Sequence, residues 1–500
     1  MRLAELMART ETRPPTDQDA RPAPTHAGPD IRGIAVDSRS VEAGFLFAAL
    51  PGLATDGRRF IADAAARGAV AVLAPEDTVL PQGIDLALLT DRNPRRRLAL
   101  MAAAFHGPQP ERVAAVTGTN GKTSTAEFAR QLWADAGLAA ASLGTLGIRA
   151  PDFERKGTLT TPDPVLLHAA LADLAQRGVD RVALEASSHG LDQFRLDGIR
   201  IATAAFTNLT RDHLDYHADM AAYRAAKFRL FDAVMAPGGT AILNADSAEF
   251  AALASLCRAR GHRVVGYGRR GAEIRLLRQE LHAEGQALEI VVDGRQWTVD
   301  LPLAGAFQAM NALAALGIVL ADGIAADLAV PALARLAGVP GRMERVARLP
   351  GGAAVYVDFA HTPDALTTVL EALRRHTAGR LVCVFGCGGD RDPGKRPEMG
   401  AAVGRAADRV VVTDDNPRGE DPVAIRAPAV AAARRFCGDV VEIGDRRAAI
   451  FAAVAGLGPG DVLVVAGKGH ESGQAIAGRT LPFDDAAVSR EAVAAAAGTE

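Results

Sequence analysis

One stretch restricts this 500-residue chain more than any other: Val113-Ala114-Ala115-Val116-Thr117-Gly118-Thr119-Asn120-Gly121-Lys122-Thr123-Ser124-Thr125. A short apolar run of strand length breaks at Gly118 and Gly121, and a helix-length segment from Thr123 to Ala136 follows, carrying Phe128 and Leu132 on one face. Strand, glycine turn and helix make the layout of a phosphate cradle. The glycines let the backbone turn its N–H groups toward an anion, and the helix N-terminus adds the positive end of its dipole. Lys122 brings a point charge, and Thr123 offers a hydroxyl to a magnesium ion. Val116 occupies the place of the first glycine in the strict phosphate-loop pattern. An ordinary glycine-rich turn is the competing reading, but Gly-Lys-Thr opening a helix after a strand is hard to reach by accident. A nucleoside triphosphate site follows, with ATP as the candidate.

The length exceeds what one hydrophobic core serves, so roughly two to four domains are expected. Hydrophobic residues at 49% and charged residues at 23% describe a globular chain, and a net charge of −3 argues against nucleic acid as the partner. The basic cluster Arg95-Arg96-Arg97 is too short to change that. Cys257, Cys383, Cys387 and Cys437 have neither metal-site nor disulfide-framework spacing, which fits a reducing compartment. No apolar run approaches the roughly 20 residues that cross a bilayer, and no signal-peptide core stands at the N-terminus. A cytoplasmic monomer without membrane or nucleic-acid partners is the expectation.

Residues 1–30, proline-rich from residue 10 onward, read as a disordered tail. From 31 to about 108, strand-like pieces at Gly33 to Val36, Phe45 to Ala48, Val70 to Leu73 and Leu86 to Leu89 alternate with helical ones, predicting a small α/β domain. A central domain, 109–340, starts with the phosphate loop and predicts a mostly parallel sheet. Its strands end in Glu185-Ala186-Ser187-Ser188-His189-Gly190-Leu191 and Thr207-Asn208-Leu209-Thr210-Arg211-Asp212-His213. Alternation resumes over 341–500 and predicts a third, Rossmann-like domain with strands at Val355, Leu381, Val410, Val440 and Val462. Polar residues gather at the carboxyl ends of these strands, where open α/β sheets bind ligands.

Glu185 and His213, a carboxylate and an imidazole each after a strand, form a plausible metal-binding pair near ATP. Lys227 follows Tyr223 by one helical turn, and an ammonium facing magnesium would be repelled. Carbamylated by carbon dioxide, it would present an oxygen anion to the metal instead.

Gly118-Thr119-Asn120-Gly121-Lys122-Thr123, Glu185-Ala186-Ser187-Ser188-His189-Gly190-Leu191, Asn208-Leu209-Thr210-Arg211-Asp212-His213 and Asp358-Phe359-Ala360-His361-Thr362-Pro363 together resemble the signature set of the Mur ligases. These are ATP-dependent amino-acid-adding enzymes of peptidoglycan precursor synthesis, and the likeness runs in consistent order from about Ile31 to the C-terminus. The resemblance implies that Gly118, Thr119, Asn120, Gly121, Lys122, Thr123 and Ser124 hold the ATP phosphates. It implies that Thr123, Glu185, His213 and carbamylated Lys227 bind magnesium, and that Asn311, Arg342, Asp358 and His361 also reach ATP. Ser38 in the first, uridine-binding domain, with Thr160, Thr161, Ser187, Gln193 and Arg195, would contact a UDP-muramoyl dipeptide. Arg391, Asp415, Asn416, Pro417, Arg418, Gly467 and Glu471 would form the pocket for the incoming amino acid.

That pocket also makes chemical sense on its own. Diaminopimelate carries a second ammonium and carboxylate at its far end, and a site selecting it needs an anion fork and acceptors. Arg391 and Arg418 supply the fork, and Asp415, Asn416 and Glu471 the acceptors. Lysine as the incoming amino acid leaves Arg418 facing nothing, so diaminopimelate is favoured. The expected reaction passes through an acyl phosphate, shielded from water by closure of the third domain, with Arg342 near the Pro340-Gly341 hinge. Folylpolyglutamate synthase, the rival enzyme, explains neither a domain before the loop nor the Asp-Asn-Pro-Arg cluster. A non-catalytic ATP-binding scaffold would not need Lys122, Glu185, His213 and Lys227 together.

Overall fold

The computed structural model describes residues 1–10, 28–52, 55–157, 159–214 and 216–497. It separates into two units, Met1–Gly266 with Gly317–Ile324, and Tyr267–Leu316 with Ala325–Glu500. Both are α/β with mostly parallel sheets, as the alternation of apolar runs predicts.

In the first unit, Gly33–Ala35, Phe45–Ala48, Ala71–Pro75 and Ala87–Asp91 pair in parallel in chain order. Helix Pro94–His106 follows, its first turn closed by Asn93, whose side chain accepts the Arg96 N–H at 3.0 Å. The expectation of disorder over 1–30 fails for Met1–Thr10. Residues Leu3–Ala8 form a helix whose Leu3 and Leu6 join the core with Ile31, Leu46 and Leu98. Two leucines three apart supply one apolar helical face, a signal that the neighbouring proline-rich composition masked. Residues 11–27 of the expected tail lie outside the described residues.

The phosphate-loop strand Arg112–Thr117 lies between Ile201–Phe206 and Arg181–Glu185, with Met235–Asn244 and Ala140–Gly144 beyond them, all parallel. Arg112–Thr117 is flanked on both sides and reads almost wholly apolar, as central parallel strands do. Register pairs Val116 with Glu185 and Thr117 with Phe206, so three strands deliver Gly118, Ala186 and Thr207 to one edge. Helix Lys122–Asp135 buries Phe128, Leu132 and Trp133, each worth about 2 kcal/mol of apolar transfer. Helix Met220–Arg229, started by the Asp219 side chain on the Ala222 N–H, runs into a single π turn, Leu230–Val234.

In the second unit the sheet order is Glu344–Arg348, Ala354–Asp358, Val462–Ala466, Leu381–Cys387, Arg409–Asp414, Val440–Glu442. Only the first of these strands is antiparallel to its neighbour. Helices beginning at Pro363, Lys395, Pro422 and Arg446 alternate with these strands. An antiparallel ribbon, Ile274–His282, Gly285–Val292 and Arg295–Leu301, was not foreseen.

Candidate functional site

Two clusters of polar side chains stand at strand ends, one in each unit. In the first unit, Gly118 and Gly121 adopt φ of 144° and 89°, which few side chains tolerate. A Cβ on Gly118 would come within 1.9 Å of Thr207 Oγ1, so the loop is packed as tightly as its backbone allows. Asn208 clamps its outer side, accepting the Asn120 N–H at 2.9 Å while its own amide donates to Asn120 O at 3.2 Å. Lys122 Nζ donates to the carbonyls of Gly118 at 3.0 Å and Thr119 at 2.8 Å. Thr123 and Ser124 are buried at the helix start.

Thr123 Oγ1 donates to Glu185 Oε2 at 2.9 Å, and the Thr145 N–H donates to Glu185 Oε1 at 2.7 Å. Thr145 was missed from the sequence, although it follows the strand Ala140–Gly144 and the strand-end rule points at it. Its hydroxyl meets Thr160 Oγ1 at 3.0 Å. Thr161 Oγ1 donates to Glu185 O at 2.8 Å and accepts from the Ser187 N–H and hydroxyl at 3.1 and 3.0 Å. Arg195 donates to Thr161 O at 2.6 Å and to Gln193 Oε1 at 2.8 Å. Glu185, Thr160, Thr161, Ser187, Gln193 and Arg195 therefore belong to one hydrogen-bonded network adjoining the phosphate loop. Ser38 sits apart, buried in the turn Ser38–Ser40 after the first strand.

Lys227 is 1% exposed, and its Nζ donates to Gly118 O at 2.7 Å and lies 4.4 Å from the centre of the Tyr223 ring. Burial, reinforced by the Lys122 charge, lowers its ammonium from 10.5 to about 6. The neutral amine that results at pH 7 is the form that adds carbon dioxide. Tyr223, also overlooked, joins the parts: its hydroxyl meets Thr119 Oγ1 at 3.2 Å, and its ring lies 6.2 Å from that of His213. His213 has a left-handed φ of 52° and a half-exposed ring 4.9 Å from that of His189. The Glu185 carboxylate is engaged by Thr123 and Thr145.

Thr123 and Glu185 place hard oxygen donors side by side, a fit for magnesium, which keeps water and phosphate oxygens in its shell and needs few protein ligands. Among the described residues no group of three or more His, Cys, Asp or Glu converges on a metal.

In the second unit, Gly467 leaves its strand at φ 115°, and a Cβ there would meet Asp415 Oδ2 at 2.7 Å. Burial raises the Asp415 carboxyl, against the charges of Arg446 and Lys468. Lys468, fully buried and overlooked in the sequence, donates to Asn416 Oδ1 at 3.1 Å and Glu471 Oε2 at 2.9 Å. Burial by itself would raise the Glu471 carboxyl, but Lys468 and Asn416 outweigh it and hold it low. Arg446, equally buried, pairs with Asp485 at 2.6 Å and donates to Ala466 O at 3.0 Å, fixing the strand end that precedes Gly467. Pro417 is buried, and Arg418, at φ 53°, donates to Gly389 O at 2.7 Å. Arg391 is exposed, and among the described residues neither Arg391 nor Arg418 forms an ion pair.

Elsewhere in that unit, Asp358 accepts from the Met343 and Ala360 N–H groups, each at 2.7 Å, and burial raises its carboxyl. Arg342 lies 5.0 Å from the centre of the Phe359 ring, which in turn lies 4.6 Å from that of His361. Asn311 donates to Gln308 Oε1 at 2.8 Å on the helix Phe307–Ala321.

Three family models match the chain: Mur ligase family, catalytic domain, over residues 30–120; Mur ligase middle domain over 116–319; and Mur ligase, glutamate ligase domain, over 341–469. Relatives named UDP-N-acetylmuramoyl-L-alanyl-D-glutamate--2,6-diaminopimelate ligase include one from Brucella melitensis, 51% identical over 95% of this chain and 96% of its own. One from Caulobacter vibrioides is 51% identical over 94% and 97%. A solved structure of the same name superposes with TM-score 0.69 at 36% identity, covering 93% of this chain and 95% of the other.

Proposed function

The chain belongs to the Mur ligase family, and from that premise we propose that it joins meso-2,6-diaminopimelate to UDP-N-acetylmuramoyl-L-alanyl-D-glutamate. The bond is an amide to the D-glutamyl γ-carboxyl, formed in the cytoplasm as ATP becomes ADP and phosphate. No helix among the described residues is long and apolar enough to cross a membrane. In this reading residues 31–108 bind the uridine end, 109–340 bind ATP and 341–500 bind the amino acid.

The observation that carries the choice of amino acid is the pair of guanidiniums, Arg391 and Arg418, that among the described residues have no carboxylate partner, with Asp415, Asn416 and Glu471 in the same unit. A diamino dicarboxylate matches both halves of that set, whereas lysine leaves the cationic half unanswered.

The phosphate loop orients ATP through its backbone N–H groups, and Lys122 leaves its carbonyl partners to meet charge on the transferring phosphoryl group. Thr123 and Glu185, with His213 and carbamylated Lys227, would hold magnesium, which would supply charge neutralisation on the phosphates. Thr160, Thr161, Ser187, Gln193 and Arg195 hold the muramoyl dipeptide so that a γ-carboxylate oxygen attacks the γ-phosphorus and ADP departs. The diaminopimelate amine then attacks the acyl carbon of the acyl phosphate. Loss of a proton from nitrogen and of phosphate from carbon completes the amide.

Phosphate release tests the reading. Purified protein with ATP, magnesium and the muramoyl dipeptide nucleotide is expected to turn over with diaminopimelate and not with lysine. Turnover with lysine alone, or with folate and glutamate, refutes it. Lys227→Ala is expected to abolish turnover, and acetate to restore part of it by placing a carboxylate in the gap.

A further inference from the structure

The two guanidiniums of the amino-acid pocket are carried by separate loops, and neither loop has a shape that its sequence prefers. Asp390 and Arg418 both lie at left-handed φ, 51° and 53°, where residues other than glycine are uncommon. Such conformations persist only when the surroundings over-determine them. Here the loops staple each other: Asp390 Oδ2 accepts the Gly419 N–H at 3.0 Å, and Glu420 Oε1 accepts the Asp390 N–H. Glu420 is itself gripped by Arg396, whose Nη2 reaches Oε1 at 2.8 Å and Oε2 at 2.9 Å from a side chain 7% exposed. The same Nη2 lies 3.4 Å from Gly388 O. A Cβ on Gly388 would meet Arg418 Nη1 at 3.0 Å and Arg391 Cγ at 3.6 Å, so the fork straddles the glycine that this lattice of bonds holds down.

We propose that Glu420, clamped by Arg396 and answered by Asp390, is a positioning residue that sets the spacing of the Arg391 and Arg418 guanidiniums. It thereby decides how tightly the distal carboxylate of the incoming amino acid is bound. Glu420 touches no substrate in this scheme. The inference rests on the diaminopimelate reading only for the identity of the amino acid. An amide at Glu420 leaves one oxygen to serve both the Asp390 N–H and Arg396, and turns an N–H donor toward the Arg396 guanidinium where a carboxylate oxygen accepted. Both loops then relax and the two-pronged anion site loses its geometry.

The test is the KM of each of the three substrates in the parent, Glu420→Gln and Asp390→Gly, with kcat measured alongside. Displacement of a binding group by about 1 Å costs on the order of 100-fold. Glu420→Gln is therefore expected to raise the diaminopimelate KM by roughly 10- to 100-fold. The KM values for ATP and the dipeptide nucleotide should stay within about twofold of the parent. Asp390→Gly accepts the left-handed φ without strain at an exposed position and removes only the Gly419 acceptor, so it tests the staple should Glu420→Gln fail to fold. It is expected to shift the same KM several-fold. A diaminopimelate KM unchanged in the variants that fold, or three KM values rising in parallel, overturns the proposal. A parent that uses a different amino acid refutes the diaminopimelate reading instead, and the staple is then judged on the KM of that amino acid.

Discussion

The phosphate loop and the amino-acid pocket carry charge in opposite ways. Around the loop, Lys122 rests on two carbonyls, Glu185 is held by Thr123 and Thr145, and Lys227 donates to Gly118 O. Anion binding there depends on backbone N–H groups and a helix dipole, and the side chains exchange local partners for phosphate. In the pocket, acceptors are neutralised by a buried ammonium, Lys468, while Arg391 and Arg418 point out of loops shaped by other residues. A polyanion can be held by one tight turn of chain. A zwitterion with charges at both ends needs side chains from several strand ends.

The sharpest way to break this comparison is Lys122→Met. Methionine keeps the aliphatic stem of Lys122 and removes the ammonium that donates to the Gly118 and Thr119 carbonyls, so thermal stability is expected to move little. Turnover is expected to fall by about 10²–10³-fold, the scale for losing one preorganised charge stabiliser. A comparable loss of melting temperature would mean that the lysine is structural and that the loop is not self-sufficient. Next in size is Arg418→Met, which removes one prong of the fork and should cost about 2 kcal/mol, roughly thirtyfold in kcat/KM for diaminopimelate. The ATP KM is expected to hold. Equal damage to both would show that the pocket and the loop are not separable in the way their charges suggest.

The same contrast explains what the sequence discloses. The loop is written in consecutive residues, so strand, glycines, Lys122 and Thr123 can be read from thirteen positions, and their geometry follows from local rules. Thr145 was legible by the strand-end rule yet passed over. Tyr223 was not legible, because its place depends on how helix Met220–Arg229 lies against the loop. Lys468 stands between Gly467 and Glu471, two residues that the sequence assigns to the pocket, but its role comes from complete burial, which no local pattern announces. The Arg446–Asp485 pair spans 39 residues and leaves no periodic trace. The antiparallel ribbon did leave one: Asp293-Gly294, with Asp293 at φ 48°, is a hairpin turn between alternating runs, and Leu288, Ile290 and Val292 are buried on one face. The helix Leu3–Ala8 was hidden by the composition of its neighbours and not by its own residues.

An effect on stability and not on turnover tests whether the loop cluster is matched in charge. Lys227 titrates near 6 in the folded chain and at 10.5 when exposed to water, so between those values the unfolded chain binds a proton that the native chain does not. Stability must then rise with pH across that window, by up to about 1.4 kcal/mol per pH unit for one proton. Below about pH 6 the native amine is also protonated and the penalty is constant; above the unfolded value it disappears. Lys227→Met removes the titration while keeping most of the buried methylenes. Urea unfolding at pH 6.5 and pH 8.5, without nucleotide or bicarbonate, should show the parent gaining about 2–3 kcal/mol on the variant between the two. A difference independent of pH would mean that Lys227 stays protonated beside Gly118 O. An ammonium there cannot take up carbon dioxide, and the loop would have to hold its phosphates with two permanent cations instead of one.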